Sequence, residues 1–583
     1  SIGVATVGGE IYFEGPYENN CLVNAMCLGI APAERLIRSA AAGEGNSVVL
    51  LGARTGRDGI GGASVLASAE LGEDEDKRPS VQIGDPFEEK KLLECCLELL
   101  DAGQLRSLQD LGAAGLSSSV SEMASKGGVG IDLDVARVPR REDGMEPFEV
   151  MISESQERML CVVEPDRLEA VLDTCARWDV RATRIGEVTS TGSLRVFDGE
   201  ELVGDMPVAA LVDDCPLYEL EPQRPAEPVY PQPPAQIADD LAPEQALLAL
   251  LASPNIASKR LAFEQYDCLV GSRTAARPGE ADAAVLTLAP DGGEGAIAVS
   301  IDGNGRRVAC DPYVGAAEAV LECAANLACT GAEPLGLTNC LNFGNPEKPH
   351  VAWQLERAVA GLRDACLALG VPVVGGNVSL YNESGDGPIY PTPVVGMVGR
   401  LTDPERAAPS AFAAEGHEVA LVGPFAPSLA GSEIEKLRGR LAEGAETEPL
   451  EFELHVRALT LVREAVAAGK VASAHDVSDG GIACALAESA LGGGIGARVD
   501  LGELAEGALP EVALFGEGPG GVVVSGPPEG LAELEATAGA VGFTRLGETA
   551  GDTLELVAGG ASLSVSVEDA RTAYESAIPD RLR

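Results

Sequence analysis

Residues 475–500, HDVSDGGIACALAESALGGGIGARVD, lie without a gap over residues 109–134, QDLGAAGLSSSVSEMASKGGVGIDLD, 366 positions earlier. Over the 25 positions from Asp110 to Asp134, eight are identical: Asp110/Asp476, Gly115/Gly481, Glu122/Glu488, Ala124/Ala490, Gly127/Gly493, Gly128/Gly494, Gly130/Gly496 and Asp134/Asp500. Each copy reads as an apolar segment ending in Asp, a Gly-rich bend, a helix and a Gly-rich exit. Two more pairs lie at nearly the same offset: TVGGEIYF (6–13) answers VVGGNVSLY (373–381), and VVLLGARTGRDGIGGAS (48–64) answers VALVGPFAPSLAGSE (419–433). The parts keep their order, so the chain is a duplicated two-part unit.

The repeat divides the 583 residues. ELEPQRPAEPVYPQPPAQ (219–236) holds six prolines in 18 residues and forms no regular element, which makes it a linker between the copies. Each copy splits again near 33–46 and 405–417. The expected domains are a remnant over 1–33, a fuller domain over 34–218, the linker over 219–243, and domains over 244–405 and 406–583. Copy two has about 120 residues before Gly376, whereas copy one has eight before Gly9, and no Met starts the chain. The expectation is that a segment precedes Ser1. Alternating runs such as SVVLLG, PVVGMVGRL and GGVVVSG interleave with Ala/Leu/Glu helices such as EEKKLLECCLELLDAG. This predicts α/β (α+β) domains, each a sheet with helices packed on one face.

The formal charge is −49, from 91 acids against 42 bases, and it excludes nucleic acid and anionic membrane as partners. If the substrates are phosphates, this field must be overcome locally, so divalent cations are expected. No apolar run reaches the length of a membrane span, and the N-terminus lacks a basic signal region; a cytoplasmic protein is the simplest reading. Fourteen cysteines without a C-x-x-C pair read as reduced core residues.

Several stretches carry candidate chemistry, each with a plainer reading beside it. Asp110 and Asp476 precede helices, where they either cap N–H groups or hold Mg²⁺ against a phosphate. GARTGRDGIGGAS (52–64) is a phosphate-cradling nest or a mobile loop, and it matches neither dinucleotide nor P-loop patterns. In VQIGDPFEEKKLLE only Gln82 is a ligand-contact candidate, because Pro86 and the acids after it are ordinary helix-start residues. MISESQERML sets Glu154, Ser155, Gln156 and Glu157 between apolar flanks, as a polar turn or a binding turn. NCLNFGNPEKP and VVGGNVSLYNES bring Asn339, Asn342, Asn345, Asn377 and Asn382 to two turns, where amides serve as neutral metal or phosphate ligands. His475 lies beside Asp476, but no Ser-His-Asp or Cys-His set is visible.

These motifs, with DGNGRRVACDPYVGAAEAVLECAANLACTGAEPLG and IYPTPVVGMVG, resemble the small PurL-type synthetase subunits of phosphoribosylformylglycinamidine synthase. Their wider superfamily includes aminoimidazole ribonucleotide synthetase. The resemblance covers nearly the whole chain. It implies a tandem-duplicated A-B-A-B pseudo-dimer with A domains pairing through their sheets, and a ligase that uses ATP to convert formylglycinamide ribonucleotide to the amidine through an iminophosphate. The implied ammonia source is a separate glutaminase subunit, bridged by a small PurS-type subunit. Carried over by position, Gln82, Glu154, Ser155, Gln156 and Ser379 hold the ribonucleotide, Asn339 and Gly376 contact ATP, and Asp110 and Asn377 bind Mg²⁺. Gly61 stands where many relatives have His. The family's catalytic histidines and ATP-contacting lysine fall upstream of Ser1. Asp476 and His475 would belong to a structural site or to one for an auxiliary bound nucleotide. The other readings are a kinase-like superfamily member and a non-catalytic scaffold.

Overall fold

A computed structural model describes residues 2–60, 62, 82–289, 295–385, 387–444 and 450–583. Gly61, Ala63 and Ser64 of the glycine loop lie outside the described residues. The chain divides into two compact units, one of Ser1–Val4 with Cys27–Glu219, the other of Ala5–Met26 with Leu220–Arg583.

The first unit is built on seven strands: β1 (Ser47–Gly52), β2 (Ser107–Asp110), β3 (Gly130–Asp134), β4 (Arg158–Val163), β5 (Ala182–Thr189), β6 (Ser193–Asp198) and β7 (Glu201–Pro207), in the order β2-β4-β1-β5-β3-β6-β7. Helices α1 (Pro86–Asp101), α2 (Gly115–Gly127) and α3 (Leu168–Arg177) pack against this sheet. Asp85 caps α1 by accepting from the N–H groups of Phe87 and Glu88, with Pro86 at the first turn.

Helices cover both faces of this sheet rather than one. In β1, Val48 and Leu50 join a cluster with Leu116, Val120 and Met123 of α2, while Val49 and Leu51 join Leu92, Cys95 and Leu99 of α1 and Val171 and Cys175 of α3. The unbroken apolar run SVVLLG is the reason: a central strand without polar alternation must be buried on both sides.

Among the described residues the second unit holds a six-stranded sheet, a seven-stranded sheet and a two-stranded hairpin. Strands β8 (Thr274–Ala276), β9 (Ala284–Thr287), β10 (Ala296–Asp302), β11 (Glu333–Asn342) and β12 (Val373–Ser379), a small hairpin of β13 (Glu383–Ser384) and β14 (Gly387–Pro388), and β15 (Thr392–Leu401) come first. The six-stranded sheet runs β12-β11-β15-β10-β9-β8. Helix α4 (Pro312–Cys329) is Ala-rich and buried along nearly its whole length, and Gly361 lets α5 (Pro349–Leu369) lie against the Tyr313 carbonyl. The predicted turns at NCLN and GGNVS are strands instead. Asn339 and Asn342 lie on β11 and Asn377 on β12, held extended by pairing of β11 with both β12 and β15.

The remaining strands are β16 (Glu418–Val422), β17 (Ser473–Asp476), β18 (Ala497–Asp500), β19 (Val522–Gly526), β20 (Phe543–Thr549), β21 (Thr553–Ala558) and β22 (Ala561–Ser566). Their order, β17-β19-β16-β20-β18-β21-β22, repeats that of the first unit strand for strand. The parallel pair β3/β6 recurs as β18/β21, and the register shift in β1/β5 at Val48/Val49 recurs in β16/β20 at Val419/Ala420. Helix α6 (Gly481–Gly493) has the length of α2, and both start behind left-handed residues: Ala114 at φ 55° and Gly480 at φ 81°.

Residues 213–242 contain no helix or strand, as seven prolines require, but Tyr230 anchors this stretch within the second unit. Its hydroxyl donates to the Ile389 carbonyl at 3.0 Å, and its ring meets Tyr390 edge-on at 4.8 Å. Nine of the fourteen cysteines are buried and all are free, which fits reduced core residues; Cys21, Cys27 and Cys215 are exposed. Among the described residues no helix is long and apolar enough to cross a membrane.

Candidate functional site

In the first unit, β2 ends at Asp110 and the chain turns through Ala114 and Gly115, both left-handed, into α2. A Cβ at Gly115 would overlap the Ser153 carbonyl, so Gly is required where this turn meets the Ser153–Gln156 segment. Glu154 ties the pieces together. It is 1% exposed; Oε1 accepts from the Ala114 N–H at 3.0 Å and Oε2 from Gln82 Nε2 at 2.6 Å. Gln156 Nε2 donates back to the Glu154 carbonyl at 2.8 Å. Gln82, Glu154, Ser155, Gln156 and the turn after Asp110 therefore form one constellation.

The roles of its members differ. Gln82 and Asp110 are exposed. The Asp110 carboxylate has no ion pair or hydrogen bond among the described residues; only its backbone carbonyl is engaged, by Ser119 Oγ at 2.8 Å. Ser155 is buried, and its hydroxyl is committed internally: it accepts from the Gly56 N–H at 2.9 Å and donates to Asp58 Oδ2 at 2.7 Å. Asp58 in turn pairs with Arg141. Sequence reasoning passed over Asp58, Arg141 and Arg158. Arg158 sits inside the quoted MISESQERML, and its signal was a cation in an otherwise apolar strand start.

In the second unit, β11 and β12 pair in parallel, with Asn339 opposite Gly376, Cys340 opposite Asn377 and Asn342 opposite Ser379. This gathers Asn339, Gly376, Asn377 and Ser379 on an exposed edge. A side chain at Gly376 would crowd the Asn339 carbonyl, so Gly permits the close approach. Asn382 Nδ2 donates to the Ser379 carbonyl at 2.8 Å and fixes the exit from β12.

The repeated turn has a different setting here. Asp476, the counterpart of Asp110, is 6% exposed. His475 Nδ1 lies 2.8 Å from Asp282 and Nε2 lies 3.2 Å from Glu488. In copy one Gln109 makes the equivalent reach to Glu122 at 3.0 Å. Burial alone would lower the imidazole pKa, but Asp282 and Glu488 outweigh it and hold His475 charged, well above its ordinary value. Asp282, His475 and Asp476 bring their ligand atoms within 4.8 Å of one another. Beside them a pocket is lined by Asn304, Arg307, Glu322, Asp476, Asp479 and Glu517. Burial, reinforced by neighbouring acids, raises Asp302 to about 6 and Glu517 to about 8.

The raised Glu517 couples protonation to stability. Between its ordinary value of 4.5 and about 8 the folded chain keeps a proton that the unfolded chain has released. Stability of the second unit is therefore expected to fall as pH rises through that window. Urea midpoints at pH 5, 6.5 and 8 should show this decline, with a flatter slope in Glu517→Gln; an identical slope in the variant would assign the titration to another group.

Comparison with known proteins follows the duplication. Residues 43–199 and 414–558 each match the C-terminal domain of AIR synthase related proteins, and residues 280–401 match the N-terminal domain of the same family. The chain is 46% identical to phosphoribosylformylglycinamidine synthase subunit PurL of Moorella thermoacetica, over 99% of this chain and 79% of that protein. It is 48% identical to the Thermomicrobium roseum subunit of the same name, over 94% of this chain and 75% of that one. Among solved structures, T. maritima PurL complexed with FGAR superposes with a TM-score of 0.70 at 29% identity, covering 94% of this chain and 79% of that one. The same protein complexed with AMPPCP superposes at 0.68, with 29% identity and the same coverage.

Proposed function

The chain belongs to the PurL family of phosphoribosylformylglycinamidine synthase subunits, and from that premise we propose that it catalyses ATP-dependent conversion of formylglycinamide ribonucleotide to formylglycinamidine ribonucleotide, a step of purine biosynthesis. The γ-phosphoryl group of ATP passes to the amide oxygen, giving an iminophosphate and ADP. Ammonia then adds at the amide carbon, and phosphate leaves with that oxygen. Family membership sets aside the kinase-like and scaffold readings.

The observation that carries the reading is the Gln82–Glu154–Ala114 bridge, which assembles the substrate-binding motif into one constellation. Within the first unit, Gln82, Glu154 and Gln156 are assigned to the ribonucleotide, with Ser155 acting through its backbone. Asn339 and Gly376 are assigned to ATP.

Asp110 is assigned to Mg²⁺ in the first unit, and Asn377 to Mg²⁺ in the second. They fit it chemically: an unpaired exposed carboxylate and an exposed amide are hard oxygen donors, which this cation prefers. When bound, the cation neutralises triphosphate charge in a chain of net charge −49. The acid-lined pocket beside Asp476 is assigned to an auxiliary nucleotide with its cations, which the carboxylates lining it would hold. A separate glutaminase subunit and a PurS-type subunit would deliver ammonia; the T. maritima relative is described as PurLQS, a name that fits such an assembly. Fourteen free cysteines suit a reducing cytoplasm.

The test is phosphate release by the complete protein with ATP, Mg²⁺ and ammonium chloride. Release is expected only when formylglycinamide ribonucleotide is present, with one amidine formed per phosphate. Release that ignores the ribonucleotide would overturn the assignment.

A further inference from the structure

Arg158 opens β4 directly after the Ser153–Gln156 turn and is 3% exposed. Its guanidinium spends every nitrogen on the turn and the glycine loop. Nε donates to the Ser155 carbonyl at 2.7 Å, one terminal nitrogen to the Ser153 carbonyl at 2.6 Å, and the other to Thr55 Oγ1 at 2.9 Å. It forms no ion pair among the described residues. A buried cation held by carbonyls and a hydroxyl is costly, and burial pulls the group down to about 10. Such a cost calls for a purpose.

The second copy shows that the purpose is not the fold. Gly52 pairs with Arg158 across β1/β4, and Val422 pairs with Val522 across β16/β19, so one step further sets Gly423 opposite Gly521. The two glycines are equivalent: a Cβ at Gly52 would overlap the Glu157 carbonyl, and one at Gly423 the Gly520 carbonyl. Gly521 is thus the counterpart of Arg158, and Glu517-Gly518-Pro519-Gly520 the counterpart of Glu154-Ser155-Gln156-Glu157. Both copies make the same turn, with left-handed Glu157 at φ 54° matched by Gly520 at φ 90°. Only the copy carrying Ser-Gln has the guanidinium beneath it.

We propose that Arg158 is a positioning residue for the ribonucleotide: it clamps the Glu154–Gln156 turn to the glycine loop through Thr55, and so sets affinity for that substrate without touching it. The inference rests on the functional reading above. Ser155 completes the clamp from the other side, bonded to Gly56 and Asp58 of the same loop. With the fork removed, the turn keeps its path, as copy two does, but loses its fixed alignment with Gln82.

The test is steady-state kinetics of the complete protein with ammonium as nitrogen donor, comparing wild type, Arg158→Met, Arg158→Lys and Thr55→Val. Expected for Arg158→Met is a rise in KM for the ribonucleotide of about tenfold or more, with KM for ATP within about twofold, kcat within about threefold and an unchanged melting temperature. Arg158→Lys, which keeps charge but not the fork, should fall between. Thr55→Val removes one of the three bonds and should raise the same KM about threefold; it serves as the test should Arg158→Met fail to fold. A drop in kcat with both KM values unchanged would mark a merely structural residue and overturn the proposal, as would equal rises in both KM values. Wild type lacking ribonucleotide-dependent turnover would instead sink the functional reading itself.

Discussion

Asp110→Asn is expected to lower turnover about 100-fold at millimolar Mg²⁺ while leaving the melting temperature of the protein unchanged. The first half follows from charge. A divalent hard cation held by the Asp110 carboxylate loses an anionic ligand when Asp becomes Asn, and even residues behind the ligands of metal sites are worth about 10–100-fold. The second half follows from structure. The Asp110 side chain is exposed and engages nothing among the described residues; the bond that holds this turn runs from Ser119 Oγ to the Asp110 backbone carbonyl, which the variant retains. Asn is nearly isosteric, so the turn into α2 persists. A Mg²⁺ titration should show partial recovery of rate at high concentration. Wild-type rates at ordinary Mg²⁺ would remove Asp110 from the metal site.

The largest stability effect is expected for Arg306→Met. The Arg306 side chain is wholly buried and pairs with Glu14 and, at 2.7 Å, with Glu433. Lys436 reaches the same acids at 3.1 and 3.3 Å, and Asn255 donates to both carboxylates at 2.9 and 3.0 Å. Although burial pushes Glu433 up, Arg306 and then Lys436 hold it below its ordinary range. Removing the guanidinium leaves two buried carboxylates sharing one ammonium, and breaking a buried pair this way costs about 3–5 kcal/mol. Because the chain has two units, the transition should be followed locally. Trp353 reports on the second unit once Trp178, in the first, is changed to Phe. The urea midpoint should fall sharply, and Glu14→Gln added to Arg306→Met should recover part of the loss. An unchanged midpoint would show that the network contributes nothing net.

This network also explains why Ala5–Met26 belongs with the second unit. Glu14 binds Arg306, the Phe13 N–H donates to Asn255 at 2.7 Å, and Tyr17 bonds Thr392 at 2.7 Å, across separations of 292, 242 and 375 residues. No periodicity or spacing encodes such contacts, so the sequence offered no sign of them. The duplication was legible because Gly and Asp recur where backbone conformation demands them: Gly128 and Gly494 both close their helices with left-handed φ. The family was legible from the same motifs, and the relatives at 46–48% identity bear it out. The expectation of helices on one face fails because SVVLLG is not an alternating strand: its Val48–Leu51 core has no polar position. The amides of GGNVS were misread as a turn because Gly-Gly-Asn is turn chemistry in isolation, whereas pairing with β11 overrides it. Arg158 was hidden by its neighbours, since Glu-Ser-Gln drew the chemical reading and a buried guanidinium reveals itself only through its acceptors.

On the proposed reaction, ATP activates the amide oxygen of the ribonucleotide so that ammonia can replace it. Formylglycinamide ribonucleotide labelled with ¹⁸O at that amide oxygen, turned over by the complete protein with ATP and ammonium, tests it most directly. One ¹⁸O is expected in each inorganic phosphate released. Unlabelled phosphate, formed while amidine accumulates, would contradict it.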